Sequence, residues 1–485
     1  MRIFPPTSPR AARSRTEGTS IVTFVELLPI FMFVALGVLL FSGYPVAFVL
    51  GGVGLGFALI GEYFEVLNWA RLSVLPNRIF GGTIENPVLV AIPMFTFMGT
   101  MLERSGVAHD LLHALQIMTR RVPGGLALSV TLMGTIMAAT TGIIGASVVM
   151  MTLMALPVML ARGYSSPLAT GTIAASGTLG ILIPPSIMLV IMADLMSIPV
   201  GTVFIAAVVP GFLLSGLYCL YILILARVKP EVAPRMDADE GPEAGAEYVS
   251  MLLTSFLPPI ALIVVVLGSI FAGIATPTEA AGVGAVGATL LAAYNRNLTW
   301  DVLRDVCQRS ALTTAMLFGI FLGATCFSLV FRTLGGDILI DELITAMGFG
   351  VWGVLFVLLG MVFFLGFFFD WVEITLIVLP VFGPIVSQLD FGAHLVGFGG
   401  ISADASVVTM VWFTILLATN LQTSFLTPPF GFALFYLKGV APPEVTIQQI
   451  YVGIIPFVLL QLLGLGLCVA FPWLVLGLPN YLLGG

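Results

Sequence analysis

The chain has 485 residues, of which 59% are hydrophobic and only 9% charged, with a formal net charge of −7. A soluble globular domain carries about 25% charged residues, and a mean hydropathy of +1.11 excludes a protein whose whole surface meets water. The four cysteines (Cys219, Cys307, Cys326, Cys468) and three histidines are scattered, which excludes a disulfide framework, a zinc site and a haem cluster.

In chain order, residues 1–20 read as a disordered tail, and the first apolar stretch, 21–41, is too long for a cleavable signal peptide. Further spans are expected at 44–61 and 87–103, with a short amphipathic segment at 64–80 lying at the interface. No Asp, Glu, Lys or Arg occurs in 122–161. As one straight helix that stretch would be about 60 Å long at 1.5 Å per residue, twice the hydrocarbon thickness. It must fold back near TTGIIGAS (140–147), as a re-entrant hairpin or as two spans. An interrupted helix follows, ATGTIAASGTLGILIPPSIMLVIMAD (169–194), in which Pro184-Pro185 removes two backbone donors. Inside a membrane, unwound backbone persists only where protein or a cavity lines it.

A span at 202–226 leads to a Pro-, Ala- and acid-rich cytoplasmic linker, 229–248. Beyond it the same landmarks recur. Spans are expected at 252–272, 277–294 and 311–331, with an interfacial segment at 299–310, then a hairpin at 350–388 turning near GFFFD (366–370). A second interrupted helix, LLATNLQTSFLTPPFGFALFYLKG (416–439), precedes a last span at 452–476. Pro45 matches Pro277, Gly145 matches Gly366, Pro157 matches Pro380, and Pro184-Pro185 matches Pro428-Pro429, at offsets between 221 and 244. Two halves, 21–228 and 249–478, each with a hairpin and a broken helix, are the pattern of a secondary transporter.

Charge bias orients the halves. With Arg104, Arg120, Arg121, Arg162, Arg227, Lys229, Arg235, Arg296, Arg304, Arg309 and Lys438 inside, only Arg71, Arg78 and Arg332 lie outside, apart from the four arginines of the tail. The hairpins then enter from opposite faces, so the repeat is inverted. The fold expected is an all-α polytopic membrane protein with two inverted-topology repeats.

Helix interruptions supply the oxygen ligands that sodium requires. A first candidate group joins Gly142, Gly145 and Ser147 to Ser176, Gly177 and Thr178; a second joins Gly366 and Asp370 to Asn420, Thr423 and Thr427. The half-helix starts at Pro184, Pro185 and Ser186, and at Pro428, Pro429 and Gly431, suit a solute, because free N–H groups at helix N-termini attract anions. Asp194, Glu279, Asp370 and Glu373 are the costly charges within spans and so functional candidates; Asp194 and Glu373 read equally as helix ends near the headgroups, and Glu279, after Thr276-Pro277-Thr278, equally as a helix cap. No nucleotide motif, nucleophile elbow or HExxH sequence is present, so a membrane-embedded enzyme is disfavoured and an ion gradient is the expected energy source.

The motifs GYPVAFVLGGVG (43–54), IPMFTFMGTML (92–102), ATGTIAASGTLGILIPPSIMLV (169–190), GIATPTEAAGVGA (273–285) and NLQTSFLTPPFGFALFYLKGVAPPE (420–444) resemble the large membrane subunit (DctM type) of tripartite ATP-independent periplasmic (TRAP) transporters. TTGIIGASVVMM, where many members carry a Gly-Ser-Ala turn, looks like the mannitol/chloroaromatic branch. The resemblance implies an inner-membrane, sodium-coupled permease for a small organic acid, working by an elevator mechanism with no cofactor other than sodium. It also implies two partners, a small four-helix membrane subunit (DctQ type) and a periplasmic substrate-binding protein (DctP type), with lipid around it and no nucleic acid. A self-sufficient ion-coupled anion symporter or exchanger of similar architecture is the alternative.

Overall fold

The computed structural model describes residues 26–141, 144–235, 245–428 and 431–484. The predicted tail (1–20) and the middle of the predicted linker lie outside them. Among the described residues every regular element is helical, and seven helices are long and apolar enough to cross a membrane.

The first half begins with α1 (Leu28–Leu40) and α2 (Val46–Tyr63), which is entered from Pro45. The expected interfacial segment is split into α3 (Trp69–Leu72), α4 (Leu75–Ile79) and one π turn (Phe80–Ile84). Then come α5 (Ala91–Arg104) and α6 (Val107–Thr119), whose start at Gly106 has φ +81°, a conformation open to glycine. The sequence pattern had not isolated α6. The first hairpin is α7 (Gly125–Thr141) with α8 (Ile144–Ala161). The broken helix is α9 (Ser166–Thr178), a 3-10 turn (Leu179–Ile181), the Pro184-Pro185 link and α10 (Ile187–Leu195); α11 (Val200–Val228) closes the half.

The second half repeats that order with α12 (Ala246–Phe271), α13 (Pro277–Tyr294), α14 (Trp300–Thr333) and α15 (Gly336–Met347). Its hairpin is α16 (Val351–Leu365) with α17 (Trp371–Val386), and its broken helix is α18 (Ala405–Ser424) with α19 (Phe432–Val440). It ends with α20 (Ile447–Ala470) and α21 (Trp473–Leu483). At 15 and 16 residues, the arms of this hairpin reach about 23 Å at 1.5 Å per residue. That is short of the roughly 30 Å hydrocarbon core, so they re-enter instead of crossing.

Two boundaries differ from expectation. The interfacial segment 299–310 and the span 311–331 form one 34-residue helix, α14, capped by the Thr299 hydroxyl on Val302 N at 3.3 Å. The i,i+4 pair Asp305–Arg309 supports the turn just before the expected break, and the helix runs on through it. The last span divides at Phe471-Pro472, where proline starts a new helix, α21. Glu279 closes a capping box with Thr276 (Thr276 N to Glu279 Oε2, 2.8 Å), which resolves its two readings in favour of the cap. Asp404 caps α18, and its hydrogen bonds from Ser406 hold its carboxyl below the usual range.

Packing gathers most helices into two bodies, which meet where α5 touches α7 and α14 touches α17. α2, α5, α12, α13 and α14 pack on one another, with α14 lying along α2 and α5 and α13 along α5. The hairpins, the broken helices, α11, α20 and α21 form the other, in which α20 lies along α9. The α9–α20 contact depends on two glycines: a Cβ at Gly171 would overlap the Gly453 carbonyl, and one at Gly453 would overlap the Pro167 carbonyl. In membranes, where helix association draws no hydrophobic driving force, such close approach carries the packing.

Gly453→Ala should force the two backbones apart. A loss of about 1–3 kcal/mol, the usual cost of overpacking, is expected as a lowered Tm of the detergent-purified protein. A Ser substituted at Gly466, whose Cβ position is open, should leave Tm unchanged.

Candidate functional site

Pro184 and Pro185 end the first half of the broken helix as expected. A proline at 185 cannot donate to the carbonyl of Ile181. The fully buried Ser186 hydroxyl fills that place, donating to the Ile181 carbonyl oxygen at 2.6 Å. Ser186, expected at the solute, therefore has its side chain engaged within its own turn. The next residue, Ile187, opens α10 and faces a cavity. In the second half Gly431 starts α19, and a Cβ there would stand 2.6 Å from the Phe425 carbonyl. Pro428 is half-buried before it; Pro429, like Gly142 of the first hairpin, lies outside the described residues.

The cavity has a volume of about 410 Å³. Both hairpins reach it: Gly145 and Ala146 from the first, Asp370 and Trp371 from the second. Phe425 and Tyr436 come from the second broken helix, and Glu103, Arg309 and Thr313 from α5 and α14 on the facing body. The first hairpin touches the other half here, because a Cβ on Gly145 would meet the Tyr436 ring at 3.0 Å. Asp370 caps α17, accepting Trp371 N at 2.8 Å, while its own N–H donates to Glu373 at 3.3 Å. Glu373 thus completes a capping box, and Asp370 is both cap and cavity wall.

The other expected ion ligands sit behind the hairpin tips. Ser176 is buried, with its hydroxyl 3.4 Å from Thr131, and a Cβ on Gly134 would stand 2.6 Å from the Ser176 Cβ. Gly177 packs on Val148 and Met151 of α8; Thr178 donates to Ala175 O at 2.9 Å, and Ser147 is buried on the same arm. In the second half Gly366 lies against Ser424, with no room for a Cβ. Asn420 donates to Leu359 O at 2.7 Å, Thr423 to Thr419 O at 3.3 Å and Thr427 to Thr423 O at 2.8 Å. In each half a hairpin glycine therefore meets a serine of the broken helix, at Gly134–Ser176 and at Gly366–Ser424. Ser424 was absent from the sequence-based set; its position four residues after Asn420, on the same helix face, was the available signal.

A second cavity, of about 450 Å³, lies at the far end of α14 and includes Arg78, Asp194, Arg332 and Pro380. Two polar contacts bridge the bodies there. Asn86 donates to Asp194 Oδ1 at 2.7 Å, and the Arg332 guanidinium donates to the Pro380 carbonyl. Pro384 supplies no N–H for that carbonyl, so the arginine takes the place of the missing helix bond. Among the described residues no cluster of three His, Cys, Asp or Glu side chains could hold a transition metal.

Residues 33–474 match the family described as tripartite ATP-independent periplasmic transporter, DctM component. The chain is 32% identical over 404 residues to the C4-dicarboxylate TRAP transporter large permease protein DctM of Pseudomonas aeruginosa, covering 82% of this chain and 88% of that one. It is 28% identical to the ectoine/5-hydroxyectoine TRAP transporter large permease protein UehC of Ruegeria pomeroyi (91% and 96% covered). It is 26% identical to the sialic acid TRAP transporter large permease protein SiaM of Vibrio cholerae (92% and 97% covered). The fold is similar to the YdaH transporter of Alcanivorax borkumensis, with a TM-score of 0.55 at 15% identity, covering 94% of this chain and all of that one.

Gly366→Ala should lower Tm, because the added methyl meets Ser424. Combining it with Ser424→Gly should recover part of the loss, leaving a net deficit of about 1 kcal/mol for glycine inside a helix. Purely additive Tm losses in the double variant would show that the two residues do not bear on each other.

Proposed function

The chain belongs to the DctM family of TRAP-transporter large permease subunits, a multi-pass protein of the inner membrane, and we propose that it imports a small organic acid or related solute by sodium-coupled, binding-protein-dependent secondary transport. The observation that carries this reading is the cavity where the tips of both hairpins meet, walled on its other side by α5 and α14. A solute held there touches both halves and both bodies, as a transporter working by relative movement requires.

The body of hairpins and broken helices is the moving part, and the body around α2, α5, α13 and α14 is the scaffold. Cavities at both ends of α14 support an elevator-like displacement along that helix. Asn86–Asp194 and Arg332–Pro380 then hold one end position. Sodium is assigned to the carbonyls and hydroxyls around Gly145, Ser147 and Ser176–Thr178, and to those around Gly366, Asn420, Thr423 and Thr427. Asp370 opens on the cavity, whereas Asn420 is turned to Leu359, so Asp370 is assigned to the solute. A small membrane subunit and a soluble binding protein complete the system. The relatives' names refer to C4-dicarboxylate, ectoine and sialic acid, which leaves the solute as a class.

Three measurements test this. Ser176→Ala and Asn420→Ala should each raise the sodium concentration for half-maximal uptake about tenfold, equal to 1.4 kcal/mol; an unchanged sodium response in both would reject the ion sites. Uptake into proteoliposomes should require the binding protein, and robust uptake by this chain alone would favour a self-sufficient symporter. Cysteines replacing Asn86 and Asp194, joined by a short bifunctional thiol reagent in a background lacking the four native cysteines, should arrest uptake reversibly. Full uptake by the cross-linked protein would sink the elevator.

A further inference from the structure

The charges on the cavity wall are unevenly spent. Arg309 is its one cation, and Asp305 holds it by Nε alone, at 3.0 Å. Asp305 is itself held by Arg104 at 2.6 Å. Among the described residues the two Nη groups of Arg309 have no hydrogen-bond partner, so the guanidinium keeps a free fork for one carboxylate. Two carboxylates share the same wall, Glu103 from α5 and Asp370 from the second hairpin. Neither forms an ion pair among the described residues, and Asp370 has spent one oxygen on Trp371 N.

Three aromatic residues, Trp371, Phe425 and Tyr436, line the same cavity as Asp370. Tyr436 is 46% exposed, and its ring lies against Gly145 of the opposite hairpin. Aromatic faces beside a carboxylate form a cage for ammonium or amidinium groups, where cation–π attraction adds to the Coulomb term. A dianion would set one charge against Arg309 and leave the other among Glu103 and Asp370, where repulsion grows as water is excluded. Glu103 already lies in the field of Arg309 and Arg104 on its own body, so Asp370 is the carboxylate of this wall with no cation beside it among the described residues.

We propose that the cavity takes a zwitterion, its carboxylate on the free fork of Arg309 and its cationic group in the Asp370, Trp371, Tyr436 and Phe425 cage. This rests on the cavity being the solute site and narrows the solute class. Its volume of about 410 Å³ is at the small end of ligand sites, about 300–1,000 Å³, which suits a molecule of amino-acid size.

The test is binding to the purified full chain in sodium-containing detergent buffer, read as the shift in Tm with millimolar glycine betaine, γ-aminobutyrate, choline or succinate. At least one of the two zwitterions should stabilise the protein more than choline does, and succinate should give no shift. Asp370→Asn should weaken zwitterion and choline binding about tenfold. Arg309→Gln should reduce the zwitterion's effect to that of choline and leave choline's effect unchanged, a pattern that a general loss of structure would not produce. A larger shift with succinate than with either zwitterion, or no shift with both, overturns the proposal. If Asp370→Asn does not fold, the ranking of the four probes on the unaltered chain still decides. Binding is read without partners, so uptake independent of a binding protein would overturn the tripartite reading and leave this one standing. Succinate preference would do the reverse.

Discussion

A backbone carbonyl freed by proline inside a membrane must find a new partner, and most of the working parts of this protein follow from that constraint. Pro185 frees the Ile181 carbonyl, and Ser186 satisfies it within the same turn. Pro384 frees the Pro380 carbonyl, and Arg332 of α14 satisfies it from the facing body. The first solution makes the break in the helix a fixed feature of one body. The second makes it a contact between two bodies. One chemical problem thus yields a closure within the turn in one half and a bridge from a facing helix in the other.

Small residues set the distances over which this can happen. Gly134 and Gly366 bring each hairpin onto a serine of the neighbouring broken helix, and Gly171 and Gly453 bring α9 onto α20. Since lipid is as apolar as a leucine side chain, these approaches are held by packing and hydrogen bonds. Several hydroxyls of the expected ion sites donate to carbonyls of their own helix, as Ser and Thr in helices commonly do. Thr178, Thr423 and Thr427 all do so, which commits their O–H groups.

The charged residues divide by role once their partners are known. Glu279 and Glu373 close capping boxes, so the cost of placing them near the membrane is offset by helix starts that need an acceptor. Asp194 bridges to Asn86. Asp370 is shared between a cap and the cavity, and Glu103 and Arg309, neither of them a candidate site residue in the sequence, line that cavity from the other body.

The sequence by itself determined the membrane class, the family, the order of two equivalent halves, both hairpins and both broken helices. Those features are local: charge-free length, glycine at turns and paired prolines act on the chain next to them. It expected a break at 310–311, inside what is the continuous α14, and it passed over α6 and α15, whose lengths of 13 and 12 residues give no span-length signal. Only the tertiary structure decided which residues share a wall. Glu103, Gly145, Arg309, Asp370 and Tyr436 lie far apart in sequence and on both bodies. No periodicity relates them, because their meeting depends on how the tips of two hairpins come to face the same long helix.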